Sequence, residues 1–417
     1  MPENRIPTSI CGIPATGDPA QPEGAPGWRL ARAGLARVMA RTSCSVPVLA
    51  AVSLLSACTM PIGGPGYAFQ DAAGPAPMQQ AAYEPEDEVD DGFLTEGLER
   101  ITARVQADIA AGRIPGAVML VARGEHVVYE KALGARNPAS GWPMSADAIF
   151  RIYSMTKPIV SVGAMMLVEE GRLQLDDPVS RYLPEMGNLK VGVERSGPGG
   201  RATLDLVPTH RDMTIHDLLR HTSGLTYGVF GKSLVKSEYR KAGIASDKLT
   251  NAQMVQALGK LPLAYQPGST WEYGRSTDVL GAVIEKVSGK PLDVYLEERI
   301  LRPLKMQDSG FWVDVSRQDR IAEPFAIDPD TGKSVHLLDV KTKPVFLSGG
   351  GGMVSTAHDY LRFAQILLNG GELEGVRLLS PETVGFMLSD HLAGVRGPAY
   401  LPGPGYGFGL GFAVRLA

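Results

Sequence analysis

Cysteine is scarce in this chain: three residues in 417, Cys11, Cys44 and Cys58, all before residue 59. Disulfides, thiolate metal sites and cysteine nucleophiles are therefore excluded from everything that follows. Neither sign of charge dominates, and a formal net charge of −4 implies no basic stripe for tracking nucleic acid. No Gly-x-Ser-x-Gly occurs, so a nucleophile elbow is not available. The run Gly349-Gly350-Gly351-Gly352 lacks the Gly-Lys-Ser/Thr ending of a phosphate loop, and it reads as a turn from strand to helix near an active-site wall. Histidine offers no better metal site. His216 and His221 are five residues apart, about 140° around a helix, so they do not share a face, and with His210 they read as structural.

What is present divides the chain into three. Residues 1–58 form a leader: a Pro, Gly, Ala and Arg-rich start without apolar periodicity, then Met39, Arg41 and an apolar run over 46–55. That run has the length of an export signal and is too short to span a bilayer. Residues 59–92 are Gly, Pro, Ala and Gln followed by the acidic run Glu84-Pro85-Glu86-Asp87-Glu88, a composition that buries no core and suits a disordered tether. Residues 93–417 carry the folded unit. Leu94, Leu98, Ile101, Val105 and Ile109 recur at helical spacing up to Gly112 and Pro115. Residues 116–122 and 126–133, separated by Arg123-Gly124-Glu125, predict a β-hairpin opening an antiparallel sheet, with the helix described next packed on one face. From about 177 to 344, helices broken by Gly/Pro loops predict a mainly helical lobe.

The chemistry concentrates at Ser154-Met155-Thr156-Lys157. A serine hydroxyl is a weak nucleophile until a base takes its proton, and a lysine three residues on along a helix shares its face. Pro158 is tolerated only near a helix start, which puts Ser154 at the N-terminal edge. Ile159, Val160, Val162, Ala164, Met165, Met166, Leu167 and Val168 leave no polar face, the pattern of a helix buried all round. Burial is expected to push Lys157 toward its neutral, proton-accepting form. Taken alone the motif also suits a capping serine and a surface lysine.

The wider segment Ile149-Phe150-Arg151-Ile152-Tyr153-Ser154-Met155-Thr156-Lys157 resembles the serine β-lactamase and penicillin-binding-protein superfamily, and within it class C β-lactamases and family VIII carboxylesterases. Further matching stretches follow in order. They are Gly171-Arg172-Leu173-Gln174-Leu175-Asp176-Asp177-Pro178-Val179, then Thr214-Ile215-His216-Asp217-Leu218-Leu219-Arg220-His221-Thr222-Ser223-Gly224-Leu225, and the glycine run with Met353-Val354-Ser355-Thr356. The resemblance implies an α/β (α+β) fold of the β-lactamase/transpeptidase-like kind: an antiparallel sheet flanked by helices plus the helical lobe. It also places Tyr273, in Trp271-Glu272-Tyr273-Gly274-Arg275, where the family's tyrosine faces the serine. A tyrosine beside cations such as Lys157 can pass protons between serine and leaving group. Where class C β-lactamases carry Tyr-x-Asn this chain has Arg275, and Tyr-x-x-Ser-Thr-Asp-Val-Leu-Gly looks closer to family VIII esterases.

The resemblance therefore implies a serine hydrolase with catalytic Ser154, Lys157 and Tyr273, acting on a small-molecule ester or amide without metal or organic cofactor. A β-lactamase, a D-amino-acid peptidase and a non-catalytic penicillin-binding-like envelope protein remain alternatives. Leu55-Ser56-Ala57-Cys58 resembles a lipobox, which implies export, lipidation at Cys58 and a periplasmic, envelope-anchored enzyme; a plain secretory signal and a core helix are the alternatives. Two acyl signals or more are needed for firm anchoring. No third family element, Lys-Thr-Gly or its equivalents, follows His358, and residues 406–414 read as the next strand. On that reading the C-terminal strands are missing, the gene is expected to run on for roughly 50 to 100 residues, and the chain as it stands is expected to be inactive or insoluble.

Overall fold

The computed structural model describes residues 95–416 apart from 198, 200, 245–247 and 399–401. The leader, Cys58 and the acidic tether lie outside the described residues. Helix α1 (Thr95–Ala110) precedes strands β1 (Gly116–Arg123) and β2 (His126–Asn137). They pair antiparallel from Gly116 opposite Gly134 to Arg123 opposite His126, with a bulge at Val121/Ala122. A short β3 (Trp142–Pro143) adds to β2 and completes a three-stranded sheet. Gly134, at φ 78°, makes the closeness of the hairpin strands feasible, since a side chain there would run into the Pro115 carbonyl.

Strand β4 (Phe150–Arg151) leads through a single 3-10 turn (Tyr153–Met155) into α2 (Thr156–Glu169). The helix is buried over nearly its whole length from Thr156 to Leu167, as an all-apolar surface requires. Next come β5 (Lys190–Ser196), β6 (Ala202–Pro208), α3 (Ile215–Leu219), α4 (Leu234–Lys241) and α5 (Asn251–Leu258). The lobe is completed by α6 (Ser276–Ser288) and α7 (Leu292–Leu296). Then follow β7 (Val354–Ser355), α8 (Ala357–Leu368), β8 (Glu372–Leu373), β9 (Val376–Arg377), α9 (Pro381–Met387), β10 (Tyr406–Phe408) and β11 (Ala413–Arg415).

Three features depart from the sequence reading. The helical lobe carries a full hairpin, β5 with β6, registered from Lys190 opposite Pro208 to Ser196 opposite Ala202. Helix α2 packs chiefly on α6 and α7, and it is α1 and α8 that lie against the sheet. Gly163 admits the close approach to α7: a Cβ there would sit 3.1 Å from Leu296 Cδ2, and the Tyr295 hydroxyl donates to the Gly163 carbonyl at 3.0 Å. Finally, residues 406–414 form no single strand. Gly411 turns at φ 94° and its N–H is held by the Leu219 carbonyl at 3.0 Å, while Leu410 is fully buried. The segment therefore folds back on itself as β10 against β11.

Candidate active site

Ser154 is presented by a turn pinned at both ends. Before it, β4 pairs with β7, Arg151 opposite Val354, and the Ile152 N–H donates to the Met353 carbonyl at 3.0 Å. After it, the Tyr360 hydroxyl donates to the Met155 carbonyl at 3.0 Å, and Thr156 Oγ1 accepts from the Met353 N–H at 3.1 Å. Between these anchors Tyr153 is held at φ 41°, a left-handed conformation unusual for a bulky residue and typical of constrained functional turns.

The fold brings together all three of the expected site residues. Tyr273 Oη lies 2.5 Å from Ser154 Oγ, and Lys157 Nζ donates to Ser154 Oγ at 3.2 Å. Lys157 is 4% exposed and donates more closely to the Gly350 carbonyl, at 2.5 Å. Its ammonium stands 4.5 Å from the Tyr273 ring centroid and 5.5 Å from that of Tyr227. The expectation that burial makes this amine neutral is corrected here. Burial does oppose its charge, but the Tyr227 and Tyr273 oxygens and the Asp278 carboxylate outweigh it and hold the ammonium above its ordinary range.

The glycine run forms the wall over this amine. A Cβ on Gly349 would lie 2.5 Å from the Thr277 carbonyl oxygen, and one on Gly350 would lie 2.7 Å from Tyr227 Oη and 3.0 Å from the Asp278 carboxylate. Asp278, buried at the start of α6, accepts from the Gly350 N–H at 2.9 Å, Ser348 Oγ at 2.6 Å and Arg275 at 3.1 Å. One carboxylate thus holds the N–H of the same residue, Gly350, whose carbonyl receives Lys157. Arg275 also lies over the Tyr227 ring, 5.0 Å from its centroid, so its guanidinium is engaged within the protein.

Tyr273 is braced by rings: Trp271 stacks at 5.9 Å, His221 lies at 5.1 Å, and Phe230 and Tyr227 meet it edge-on at 5.9 and 5.6 Å. Phe408 on β10 closes the rear, 5.6 Å from Trp271 and 5.5 Å from His221. Burial, helped by the charge of Lys157, pushes His221 down to about 3. His216 pairs instead with His391, Nε2 to Nδ1 at 2.9 Å, and the exposed His210 is held by Gln266 through its backbone. Among the described residues no three His, Cys, Asp or Glu side chains are grouped to hold a metal.

Tyr227 and Asp278 were not singled out from sequence. Tyr227 lies two residues past the quoted His221-Thr222-Ser223-Gly224-Leu225 stretch and Asp278 five past Tyr273, and neither position has a local pattern that announces it. Burial pushes the Tyr227 hydroxyl up to about 12, against the pull of the Lys157 charge.

A serine between a lysine three residues on and a facing tyrosine, set where a small antiparallel sheet meets a helical lobe, defines a serine hydrolase of β-lactamase/transpeptidase-like fold. The chain belongs to the Beta-lactamase family, whose model matches residues 101–415. An uncharacterized protein of Mycobacterium tuberculosis is 37% identical over 309 residues, 74% of this chain and 75% of its own. Esterase EstB of Burkholderia gladioli is 34% identical over 339 residues, covering 76% and 79%. Among solved structures, EstCE1, described as a hydrolase with promiscuous acyltransferase activity, superposes with TM-score 0.63 at 30% identity, covering 77% of this chain and 84% of its own.

Proposed function

We propose that, against the expectation of an inactive chain drawn from the missing third family element, this chain hydrolyses neutral carboxylic esters through an acyl-enzyme on Ser154. The observation that carries the proposal is Ser154 Oγ bracketed by Tyr273 at 2.5 Å and Lys157 at 3.2 Å. With Lys157 charged, the nearer oxygen takes the proton. As Oγ bonds to the ester carbonyl carbon, Tyr273 Oη serves as the general base that accepts its proton, and the ammonium offsets the negative charge that moves between them. The departing alkoxide then takes that proton from Tyr273 as the ester C–O bond breaks. Water repeats the sequence on the acyl-enzyme, releasing the carboxylic acid and restoring Ser154.

The ester preference is supported by the surroundings. Arg275 pairs with Asp278, Lys236 with Glu272 at 2.8 Å and Arg151 with Glu323 at 3.2 Å, so these cations are engaged before any substrate carboxylate arrives. Met155, next to Ser154 in the chain, is 40% exposed, an apolar side chain suited to an uncharged ester. The esterase names among the relatives point the same way.

The test is turnover of p-nitrophenyl butyrate together with labelling by a serine-reactive fluorophosphonate. Ser154→Ala is expected to abolish both and Lys157→Ala nearly so, with the double variant little worse than either, because the members of such a unit act together. Substantial turnover surviving in Ser154→Ala would remove the assignment.

A further inference from the structure

Helix α4 is remote in sequence from Ser154, yet one of its side chains reaches both the segment before Tyr273 and the one after Tyr227. Lys236 Nζ lies 2.8 Å from Glu272 Oε1, with side chains only 7% and 2% exposed. The same Glu272 oxygen accepts from Thr226 Oγ1 at 2.7 Å, and Lys236 Nζ donates to the Phe230 carbonyl at 2.6 Å. Glu272 immediately precedes Tyr273, and Thr226 immediately precedes Tyr227. A second contact from α4, Arg240 to the Gly228 carbonyl, holds the loop between them.

We infer that Lys236 and Glu272 are positioning residues: their buried ion pair sets Tyr273 against Ser154 and holds the Tyr227–Phe230 wall in place. Stability alone is a poor reason for the pair. Taking both charges from water is costly, and apolar side chains of similar size commonly serve a fold equally well. Glu272 Oε2 moreover has no hydrogen-bond partner among the described residues. What an ion pair supplies and apolar packing does not is direction. The carboxylate ties two segments 46 residues apart, and the ammonium ties both to α4. A shift of Tyr273 is magnified at Ser154, because a misplacement of about 1 Å at a reacting group costs on the order of 10²-fold in rate.

This inference rests on the serine-hydrolase reading, but its test does not need the ester to be the right substrate. Fluorophosphonate labelling requires only an activated serine, so its rate is measured beside ester turnover and the melting temperature, using the full chain. Lys236→Met is expected to lose both stability and rate, since it leaves Glu272 buried and unpaired. Lys236→Met combined with Glu272→Met is expected to recover the parental melting temperature while labelling and kcat, per labelled serine, stay about 10²-fold down. Lys236→Arg should restore most of the rate, with KM little changed. Thr226→Val, which removes the hydroxyl's bonds to Glu272 and to the Gly228 N–H but no charge, should lower kcat several-fold while its melting temperature stays above that of Lys236→Met, and it serves where the double variant does not fold. Parental labelling rate and kcat in the folded double variant, or in Thr226→Val, would overturn the inference. A parent that labels without cleaving esters would instead overturn only the substrate proposed above.

Discussion

Ser154 meets two partners at unequal distances, Tyr273 at 2.5 Å and Lys157 at 3.2 Å, and in the mechanism proposed above its proton would pass along the shorter contact. Lys157 is held closer to the Gly350 carbonyl than to the serine, and in that mechanism it would act as a fixed positive charge. Arg275 illustrates the same economy of charge. Its guanidinium pairs with Asp278 and lies over Tyr227, in the position where the resembled class C enzymes present an asparagine amide to their substrate. We therefore expect ester hydrolysis to exceed cephalosporin hydrolysis by at least about tenfold in kcat/KM, roughly 1.4 kcal/mol of transition-state discrimination. The comparison is p-nitrophenyl butyrate against nitrocefin. Equal or faster nitrocefin turnover would show that Arg275 does not exclude the β-lactam.

Among the elements, α3 and the segment after it are where pH should act. His216 is held down to about 4, first by burial and then by Arg220, and His221 to about 3 by burial and the charge of Lys157. For both, the folded value lies below the unfolded one, so the unfolded chain binds protons first as pH falls. Their contribution is complete above about 6.5 and drains away toward their folded values of about 4 and about 3. Asp217 runs the same way at lower pH. Burial opposes its charge, but Arg211 and Thr222 hold it down to about 2, so its contribution fades from about 3.9 downward. The melting temperature should fall steadily from pH 6.5 to 4, and less steeply in His221→Asn, since asparagine tolerates the left-handed φ of 59° at that position. An unchanged slope in that variant would acquit His221. Elements of this kind differ in how far sequence discloses them. Helix α2 was legible because eight apolar residues leave it no polar face, and β1 and β2 because Arg123-Gly124-Glu125 parts two apolar runs. The β5–β6 hairpin was not, because Leu206 and Val193 stay 52% and 36% exposed and the strands carry no clean inward alternation. Ser154 and Lys157 could be read from spacing, whereas Tyr227, Asp278 and Lys236 meet Tyr273, Gly350 and Glu272 respectively, partners 46, 72 and 36 residues away, which no local pattern records.

At the scale of the whole molecule, the question is where such a hydrolase works. Among the described residues no helix is long and apolar enough to cross a membrane, and the sequence feature that bears on attachment is in the segment ahead of residue 95. That segment carries Leu55-Ser56-Ala57-Cys58 after a ten-residue apolar run, then a stretch rich in Gly, Pro and acidic residues. Lipoprotein acylation at Cys58 would provide the two acyl signals that stable anchoring needs. Expressed in a bacterium that processes lipoproteins, the chain is expected to fractionate with the envelope and to incorporate radiolabelled palmitate. Cys58→Ser should abolish the label and release the protein into the soluble periplasmic fraction, while fluorophosphonate labelling of Ser154 persists. Palmitate incorporation that survives Cys58→Ser, or a wild-type chain found wholly in the soluble fraction, would rule out the anchor and leave an ordinary secretory signal as the reading of the same residues.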